Sequence, residues 1–272
     1  MRVIIRALSK QMKNSTVEKA RTAFSRTPRI VTALACLLWL ASNASADEIK
    51  IAVASNFSGA MQALVRAYEA GAPHKVILVF GATGKHYAQI KNGAPFEAFL
   101  AADVRRPALL ESEGIAIPGS RFTYALGKLV LWSPQPDYVD SAGTILSRGR
   151  FMHLALANPR LAPYGVAAQE VLQARGLWQS MQSRLVRGEN IGQAYQFTAS
   201  GNAELGFVAY AQIKQAKPAI PGSYWLIPAS LYSAIEQQAV LLRDNAAARN
   251  FLHYLQTNKA LKIIRDYGYD TP

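Results

Sequence analysis

Hydrophobic and polar positions along the chain follow two alternating periods, which predict strands and helices in turn. The first predicted strand is EIKIAVA, a mostly apolar run at residues 48–54. Residues 57–71 then place four apolar side chains at spacings of three and four: Met61, Leu64, Val65 and Tyr68. This spacing is typical of the buried face of an amphipathic helix.

The same alternation continues through most of the chain. Further strands are predicted at KVILVFG (75–81), AFLAAD (98–103), KLVLWS (128–133), HLALAN (153–158), RLVRG (184–188), AELGFVAYAQI (203–213) and SYWLIP (223–228). Helices are predicted at residues 85–93, 105–114, 166–176 and 191–202, and as one long terminal helix at 248–268. Strands that alternate with helices favour an α/β fold with largely parallel sheets and right-handed crossovers.

The first 46 residues differ from the rest of the chain and indicate an export signal. Residues 1–29 carry eight Lys or Arg and one Glu, and an apolar run follows at residues 30–41. That run is shorter than the roughly 20 residues of a membrane span. Residues 44–46 are Ala-Ser-Ala, the small-x-small pattern of a signal-peptidase site. We therefore expect cleavage before Asp47 and a periplasmic location.

Composition narrows the function of the exported part. The 272-residue chain has a formal net charge of +13, but removal of residues 1–46 leaves 22 basic and 16 acidic residues, or +6. No basic run interleaved with aromatic residues remains, so nucleic acid is not an expected partner. The only cysteine, Cys36, lies in the leader. An exported chain without disulfides fits a bacterial periplasm.

Four loops place small or hydroxyl-bearing residues directly before a predicted helix. They are Ala54-Ser55-Asn56, Gly81-Ala82-Thr83-Gly84, Ala162-Pro163-Tyr164-Gly165 and Glu189-Asn190-Ile191-Gly192. In open parallel sheets such loops lie at the carboxyl ends of the strands, where ligands bind. Helix N-termini there present unpaired N–H groups and a positive dipole end, which suits an anion. Two loops come from each half of the chain, so two facing lobes would direct all four at one cleft.

The second of these loops contains a Gly-Lys pair, as a phosphate-binding loop does. That motif also needs a glycine five positions before the pair and a hydroxyl residue after it, whereas this chain has Val79 and His86 there. Several neutral donors, each worth about 1.5–3 kcal/mol to an ionised acceptor, are enough to hold a small dianion. The alternative without a ligand is that Ser55 and Thr83 only cap helices.

Several segments together resemble one known family. They are VASNFSGAMQALVRAY, VFGATGKHYAQIKNGAPFEAFLAAD, APYGVAAQEVL and ELGFVAYAQI, and they occur in order from about residue 48 to IIRDYGY near the C-terminus. In this respect the chain resembles the periplasmic molybdate-binding component of ABC transporters. The resemblance implies a two-lobed periplasmic binding-protein (class II) fold, with each lobe a mostly parallel sheet flanked by helices.

The resemblance also implies how the chain is divided. The expected parts are a signal peptide (1–46), the first part of lobe 1 (47–126), lobe 2 (127–220) and a returning segment of lobe 1 (221–272). Because the chain crosses between the lobes twice, hinges are expected near residues 125–128 and 218–223. An ABC permease in the inner membrane is the implied partner, and the protein is expected to be a monomer.

The family binds molybdate, and usually tungstate, through hydroxyls and backbone N–H groups, with no cofactor and no direct contact to the metal. Carried over to this sequence, the contacts fall on Ser55, Asn56, Thr83, Tyr164 and the backbone N–H of Ile191. Many relatives have two serines where this chain has Ala82-Thr83, so Ala82 offers only its backbone.

Other functions stay open at this point. An enzyme on the same scaffold would need an acid, base or nucleophile in the cleft, and Glu189 is the one candidate that the loops offer. A receptor for sulfate, phosphate or ferric iron is closer in kind. Iron prefers adjacent tyrosines or carboxylates, and no Tyr-Tyr pair occurs, whereas sulfate is decided by the size of the cleft. A sensor that signals its bound state to a membrane kinase is also open.

Overall fold

The computed structural model describes residues 48–214 and 222–272, which form two five-stranded sheets flanked by helices. The predicted signal peptide, residues 1–46, lies outside the described residues. The strands are β1 (Glu48–Ala54), β2 (Lys75–Gly81), β3 (Ala98–Leu100), β4 (Phe122–Gly127), β5 (Leu129–Ser133), β6 (Leu154–Ala157), β7 (Leu185–Gly188), β8 (Leu205–Ala209), β9 (Ser223–Leu226) and β10 (Ile235–Leu241).

Helices connect most of these strands and cover the sheets. They are α1 (Ser58–Glu69), α2 (Thr83–Lys91), α3 (Arg105–Ser112), α4 (Ile145–Arg148), α5 (Pro163–Ala174), α6 (Trp178–Met181), α7 (Ile191–Ala199), α8 (Tyr210–Lys214), α9 (Ala246–Tyr254) and α10 (Asn258–Asp266). Short 3₁₀ turns lie at Ser55–Phe57, Gln182–Arg184 and Ala229–Leu231. Across the described ranges, no helix is both long and apolar enough to span a membrane.

The two sheets have the same topology. The first has the strand order β2-β1-β3-β10-β4 and the second the order β7-β6-β8-β5-β9. In the first sheet β10 runs antiparallel to both its neighbours, and the other strands share one direction. In the second sheet β5 takes that place. Each sheet is therefore mixed, with four strands in one direction and one against them. We call the first sheet with its helices lobe 1 and the second lobe 2.

The opposed strand of each sheet is the first one after the chain has crossed from the other lobe. The first crossing, from β4 to β5, takes place at Lys128, in the region expected from the sequence. The second runs from β9 to β10 through residues 227–234. Because β9 pairs with β5 in lobe 2, the predicted boundary at residue 220 and the predicted hinge at 218–223 fall one strand too early.

Apolar helix faces pack on both sheets. The face predicted for α1 is buried, with Met61, Leu64, Val65 and Tyr68 each less than 9% exposed. In lobe 1 this face shares a core with Phe57, Phe251 and Ile264. A separate core in lobe 2 is built around Leu131, Leu156, Val171 and Phe207. Full burial of each such side chain stabilises the fold by about 1.5–3 kcal/mol.

Three parts of the predicted secondary structure are wrong. The terminal helix is divided into α9 and α10, because Thr257 caps a new helix by accepting from the N–H of Ala260. The strand predicted at 203–213 ends at Ala209 and continues as α8. The strands β4 and β10 are absent from the prediction. In β10 the polar residues Glu236, Gln237 and Gln238 interrupt the apolar pattern by which strands are predicted.

A close approach of helix to strand sets the position of α5. A Cβ on Gly165 would overlap the carbonyl oxygen of Ala157 at the end of β6. We expect Gly165→Ala to lower the free energy of unfolding by about 1–3 kcal/mol, the usual cost of overpacking. Gly71→Ala is the matched control, because nothing lies within 4 Å of a Cβ there. Urea unfolding measures both variants, and equal stability of Gly165→Ala and wild type would contradict the assignment.

Candidate functional site

Within each lobe, the two predicted loops are neighbours at one edge of the sheet. The parallel register pairs Ala54 with Gly81 at the ends of β1 and β2. In lobe 2 it pairs Ala157 with Gly188 at the ends of β6 and β7. The strands therefore deliver two loops side by side, as the sequence predicts from parallel pairing.

The loops of the two lobes also contact each other. The backbone N–H of Gly192 donates to the Oγ of Ser55 at 3.3 Å. The N–H of Gly84 donates to the carbonyl oxygen of Leu161 at 2.8 Å. All four loops thus border one narrow cleft between the lobes.

Thr83 is buried at the start of α2 and does not act as its N-cap. The cap residue is Ala82, and no side chain bonds to the first turn. The Thr83 Oγ1 instead accepts from the N–H of Ala102 at 3.1 Å, which leaves its hydroxyl hydrogen to donate elsewhere. Ser55 makes no cap bond either. The interpretation of these two hydroxyls as simple helix caps is therefore wrong.

Asn56 turns its side-chain amide into lobe 1. Its Nδ2 donates to Gln237 Oε1 at 2.7 Å and to the Tyr269 hydroxyl at 3.2 Å. The Tyr269 hydroxyl in turn donates to the Asn56 carbonyl oxygen at 2.7 Å. Both amide hydrogens of Asn56 are thus committed inside the lobe, and its backbone N–H is the donor that it can offer to the cleft.

Tyr164 contributes a buried hydroxyl from lobe 2. The residue is 1% exposed, and its hydroxyl completes no hydrogen bond of normal geometry among the described residues, although the Asn56 side chain lies close enough to interact with it. Burial raises the pKa of this hydroxyl well above its usual value, so it remains a neutral donor. Gly127, at the first crossing, makes room for it, since a Cβ there would overlap the Tyr164 hydroxyl.

Ile191 is the first residue of α7, whose N-terminus faces the cleft. Asn190 caps this helix by accepting from the N–H of Gln193 at 3.1 Å. The N–H of Gly192, the next residue, points from lobe 2 to the Oγ of Ser55. The N–H of Ile191 lies in the same first turn of α7.

Two ion pairs lie near the cleft. Lys85, the lysine of the Gly-Lys pair, forms an ion pair across the cleft with Glu189, at 3.0 Å from Nζ to Oε2. Asp103 pairs with Arg106. His86 is buried beneath the second loop, and burial lowers its pKa, which keeps it neutral. The described residues contain no cluster of acidic, histidine or cysteine side chains able to hold a metal ion.

A larger groove opens beside the cleft. It has a volume of about 440 Å³ and lies between Asp103–Arg106 of lobe 1, Pro163–Glu170 of lobe 2 and residues 233–236 of the second crossing. Of the predicted site residues Ser55, Asn56, Thr83, Tyr164 and Ile191, only Tyr164 lies within these ranges, and it does not line the groove. The groove is thus lined by residues other than those predicted for the site.

Sequence reasoning missed two residues at this site, Gln237 and Gly127. Gln237 is fully buried, and its Oε1 accepts from Asn56. The sequence offers one indication of its role, the polar pair Gln237-Gln238 within a largely apolar segment that is not predicted as a strand. Gly127 carried no signal, because its role depends on a contact between distant parts of the chain.

Known proteins share this architecture and much of this sequence. The chain is 50% identical over 244 residues to the molybdate-binding protein ModA of Azotobacter vinelandii, covering 89% of this chain and 96% of that protein. It is 46% identical over 254 residues to ModA of Rhodobacter capsulatus, covering 92% and 99% of the two chains.

The fold comparison agrees with the sequence comparison. The solved structure of the Azotobacter vinelandii periplasmic molybdate-binding protein superposes with a TM-score of 0.80 at 44% identity, covering 82% of this chain and 99% of that one. The two-lobed α/β architecture expected from the sequence is therefore confirmed. The family model described as bacterial extracellular solute-binding protein matches residues 49–270. The chain belongs to this family of bacterial extracellular solute-binding proteins.

Proposed function

We propose that this protein captures molybdate, and with it tungstate, in the four-loop cleft and delivers it to an ABC permease. The observation that carries the proposal is the convergence of neutral donors from both lobes on a cleft whose neighbouring charges are paired. The names of the relatives from Azotobacter and Rhodobacter support the choice of ion. Membership of a solute-binding family makes the protein a carrier rather than an enzyme.

The proposed contacts come from five residues. The hydroxyls of Ser55, Thr83 and Tyr164 and the backbone N–H groups of Asn56 and Ile191 would donate to the oxygens of the ion. Donors of this kind are worth about 1.5–3 kcal/mol each to an ionised acceptor, and several together offset the solvation that the dianion loses. No cofactor takes part, because the ion is the cargo.

The proposal also covers where the protein works and what it binds to. The predicted leader, residues 1–46, would direct the protein to the periplasm, as a monomer that docks on an inner-membrane permease. N-terminal sequencing of the exported protein tests cleavage before Asp47, and an intact leader would contradict it.

A cleft lined by hydrogen-bond donors would bind molybdate in preference to phosphate. Near neutral pH phosphate retains a proton, and that O–H needs an acceptor when it is buried. Glu189 is the nearest carboxylate in the loops, but Lys85 holds both its oxygens, at 3.1 and 3.0 Å. An unsatisfied O–H costs roughly 1–3 kcal/mol, which molybdate, fully deprotonated, does not incur.

Calorimetry with molybdate, tungstate, sulfate and phosphate tests this selectivity and the proposed function together. We expect tight binding of molybdate and tungstate, and weaker binding of phosphate by at least the roughly 1–3 kcal/mol of an unsatisfied group. Comparable affinities for phosphate and molybdate would reject a cleft made of donors. Preferred binding of sulfate, which is also a deprotonated dianion, would favour the alternative function of a sulfate receptor.

Removal of single hydroxyls tests the proposed contacts. Ser55→Ala and Thr83→Val should each weaken molybdate binding by about 1.5–3 kcal/mol, the worth of one bond to a charged group. Thr198→Val is the matched control, because Thr198 is equally buried and donates to Ala194, away from the cleft. The control is expected to lose stability and keep its affinity. Wild-type affinity in both cleft variants would exclude these hydroxyls from the site.

Closure of the lobes around the ion is a further expectation. The two crossings, at Lys128 and at residues 227–234, are proposed as the hinges, because no other described segment joins the sheets. Small-angle scattering should show a smaller radius of gyration when molybdate is added. In Gly127→Ala the new Cβ collides with the Tyr164 hydroxyl, so both the compaction and the affinity should be reduced. Gly71→Ala should behave as wild type, and unchanged scattering on saturation of wild type would count against closure.

A further inference from the structure

Gln237 is a fully buried amide to which the proposed ligand contacts give no role. It lies on β10, two residues after Ile235, which pairs with Gly127 at the first crossing. A buried side-chain amide in the middle of a strand costs stability unless its polar atoms are paired. The contacts of its oxygen and nitrogen indicate what it does.

The oxygen of Gln237 organises the first binding loop. Its Oε1 accepts from Asn56 Nδ2 at 2.7 Å and from the Tyr124 hydroxyl at 3.2 Å. The bond to Asn56 joins residues 181 positions apart in the sequence and fixes the turn that follows Ser55. The orientation of the loop thus depends on a strand that reaches lobe 1 only after the second crossing.

The nitrogen of Gln237 lies close to Gly127, as does the Tyr164 hydroxyl of lobe 2. Nε2 completes no hydrogen bond of normal geometry among the described residues, and the same holds for the Tyr164 hydroxyl. A Cβ on Gly127 would lie 3.1 Å from Gln237 Nε2 and would overlap the Tyr164 hydroxyl. Two buried donors, one from each lobe, therefore lie beside Gly127, the residue before the first crossing.

We propose that Gln237 is a positioning residue of the anion cleft, which orients the Ser55–Asn56 loop through its oxygen and supplies a second neutral donor beside Tyr164 through its nitrogen. Because both donors lie beside Gly127, an acceptor at that point would be bound by both lobes at once. The inference rests on the proposed function, because the acceptor would be an oxygen of the bound dianion.

The first experiment separates positioning from general destabilisation. Gln237→Met keeps the length of the side chain and removes both polar atoms. Molybdate affinity should fall about tenfold or more, the factor for one or two lost hydrogen bonds. Amide hydrogen exchange of residues 55–58 should become faster in the ligand-free protein.

Gln238→Met is the matched control. Gln238 is the next residue of the same strand, but its side chain bonds to Arg121 and Thr123 instead of the cleft network. It is expected to keep wild-type affinity and wild-type exchange at residues 55–58. If Gln237→Met behaves like this control, the proposal is overturned.

The second experiment measures molybdate affinity as a function of pH, because a purely structural role of Gln237 would not make the affinity of the variant depend on pH. Gln237→Glu keeps an acceptor for Asn56 and Tyr124 but replaces the donor by a carboxylate facing the dianion. Burial and the nearby dianion both raise the pKa of such a carboxyl, so its protonation at lower pH restores a neutral donor. Molybdate affinity in this variant should be low at about pH 8 and rise severalfold towards pH 6, with a much smaller change in wild type.

The titratable and charged groups around Gln237 are not expected to contribute to the pH dependence of molybdate affinity in this variant. The titratable groups around it are hydroxyls whose pKa values burial raises: Tyr124, Tyr164 and Tyr269. Nearby charged groups are paired, namely Asp103 with Arg106, Lys85 with Glu189 and Lys128 with Asp270. High, pH-independent affinity of Gln237→Glu would overturn the role of the nitrogen.

Failure of the inference is distinguishable from failure of the proposed function. If wild type binds another oxyanion of the panel instead of molybdate, the same variants are compared with that ion, and the proposed ligand alone is rejected. If wild type binds none, the exchange of residues 55–58 still decides whether Gln237 positions the loop. Unchanged exchange in Gln237→Met would then reject the inference by itself.

Discussion

The approach of two polar loop edges is the constraint on which the rest of the structure depends. Gly84 donates to Leu161 across the cleft, and a Cβ on Gly84 would lie 2.9 Å from that carbonyl oxygen, closer than side chains tolerate. Backbone groups enclosed without partners cost about 1–3 kcal/mol each. The lobes can therefore close favourably only where the loop ends find acceptors, either in one another or in a ligand.

Charge is kept out of the interior of this contact. Lys85 and Glu189 are half to one-third exposed and pair at the surface, where such a pair contributes little to stability. The groups beneath the loops are neutral, because burial lowers the pKa of His86 and raises that of Tyr164. In the proposed site a dianion would therefore be held mainly by the oriented dipoles of neutral groups. Such an arrangement disfavours ligands that bring their own proton, since an additional donor in the cleft finds no acceptor.

Much of this arrangement could be predicted from the sequence, because it follows from local patterns. The helical spacing of Met61 and Leu64 gave α1 correctly, and apolar runs before Ser55 and Thr83 gave strands that end at the cleft. Parallel pairing then brought the predicted loops together, since the ends of adjacent parallel strands coincide. The identity of the loops thus required only strand periodicity and turn composition.

The parts that were missed depend on contacts between distant residues. The strand β10 has a polar centre because Gln237 serves a network in the lobe interior, and this polarity obscured the apolar pattern that predicts strands. Asn56 is predicted as a site residue, and in the structure its amide points inward towards partners that only the returning segment supplies. Local propensity contains no information about such partners, so neither the direction of the amide nor the second crossing could be read from it.

The topology explains why the site and the hinges share residues. Each chain crossing is followed by the one strand that runs against its sheet, and this places Gly127 of the first crossing beside Ile235 of the second. The two proposed hinge segments therefore adjoin each other in lobe 1. Gln237 lies two residues further along the same strand, in contact with the loop that carries Ser55. In the proposed function, a group bound at that loop would lie next to the strand that follows the second crossing, so binding and closure would be coupled through adjacent residues.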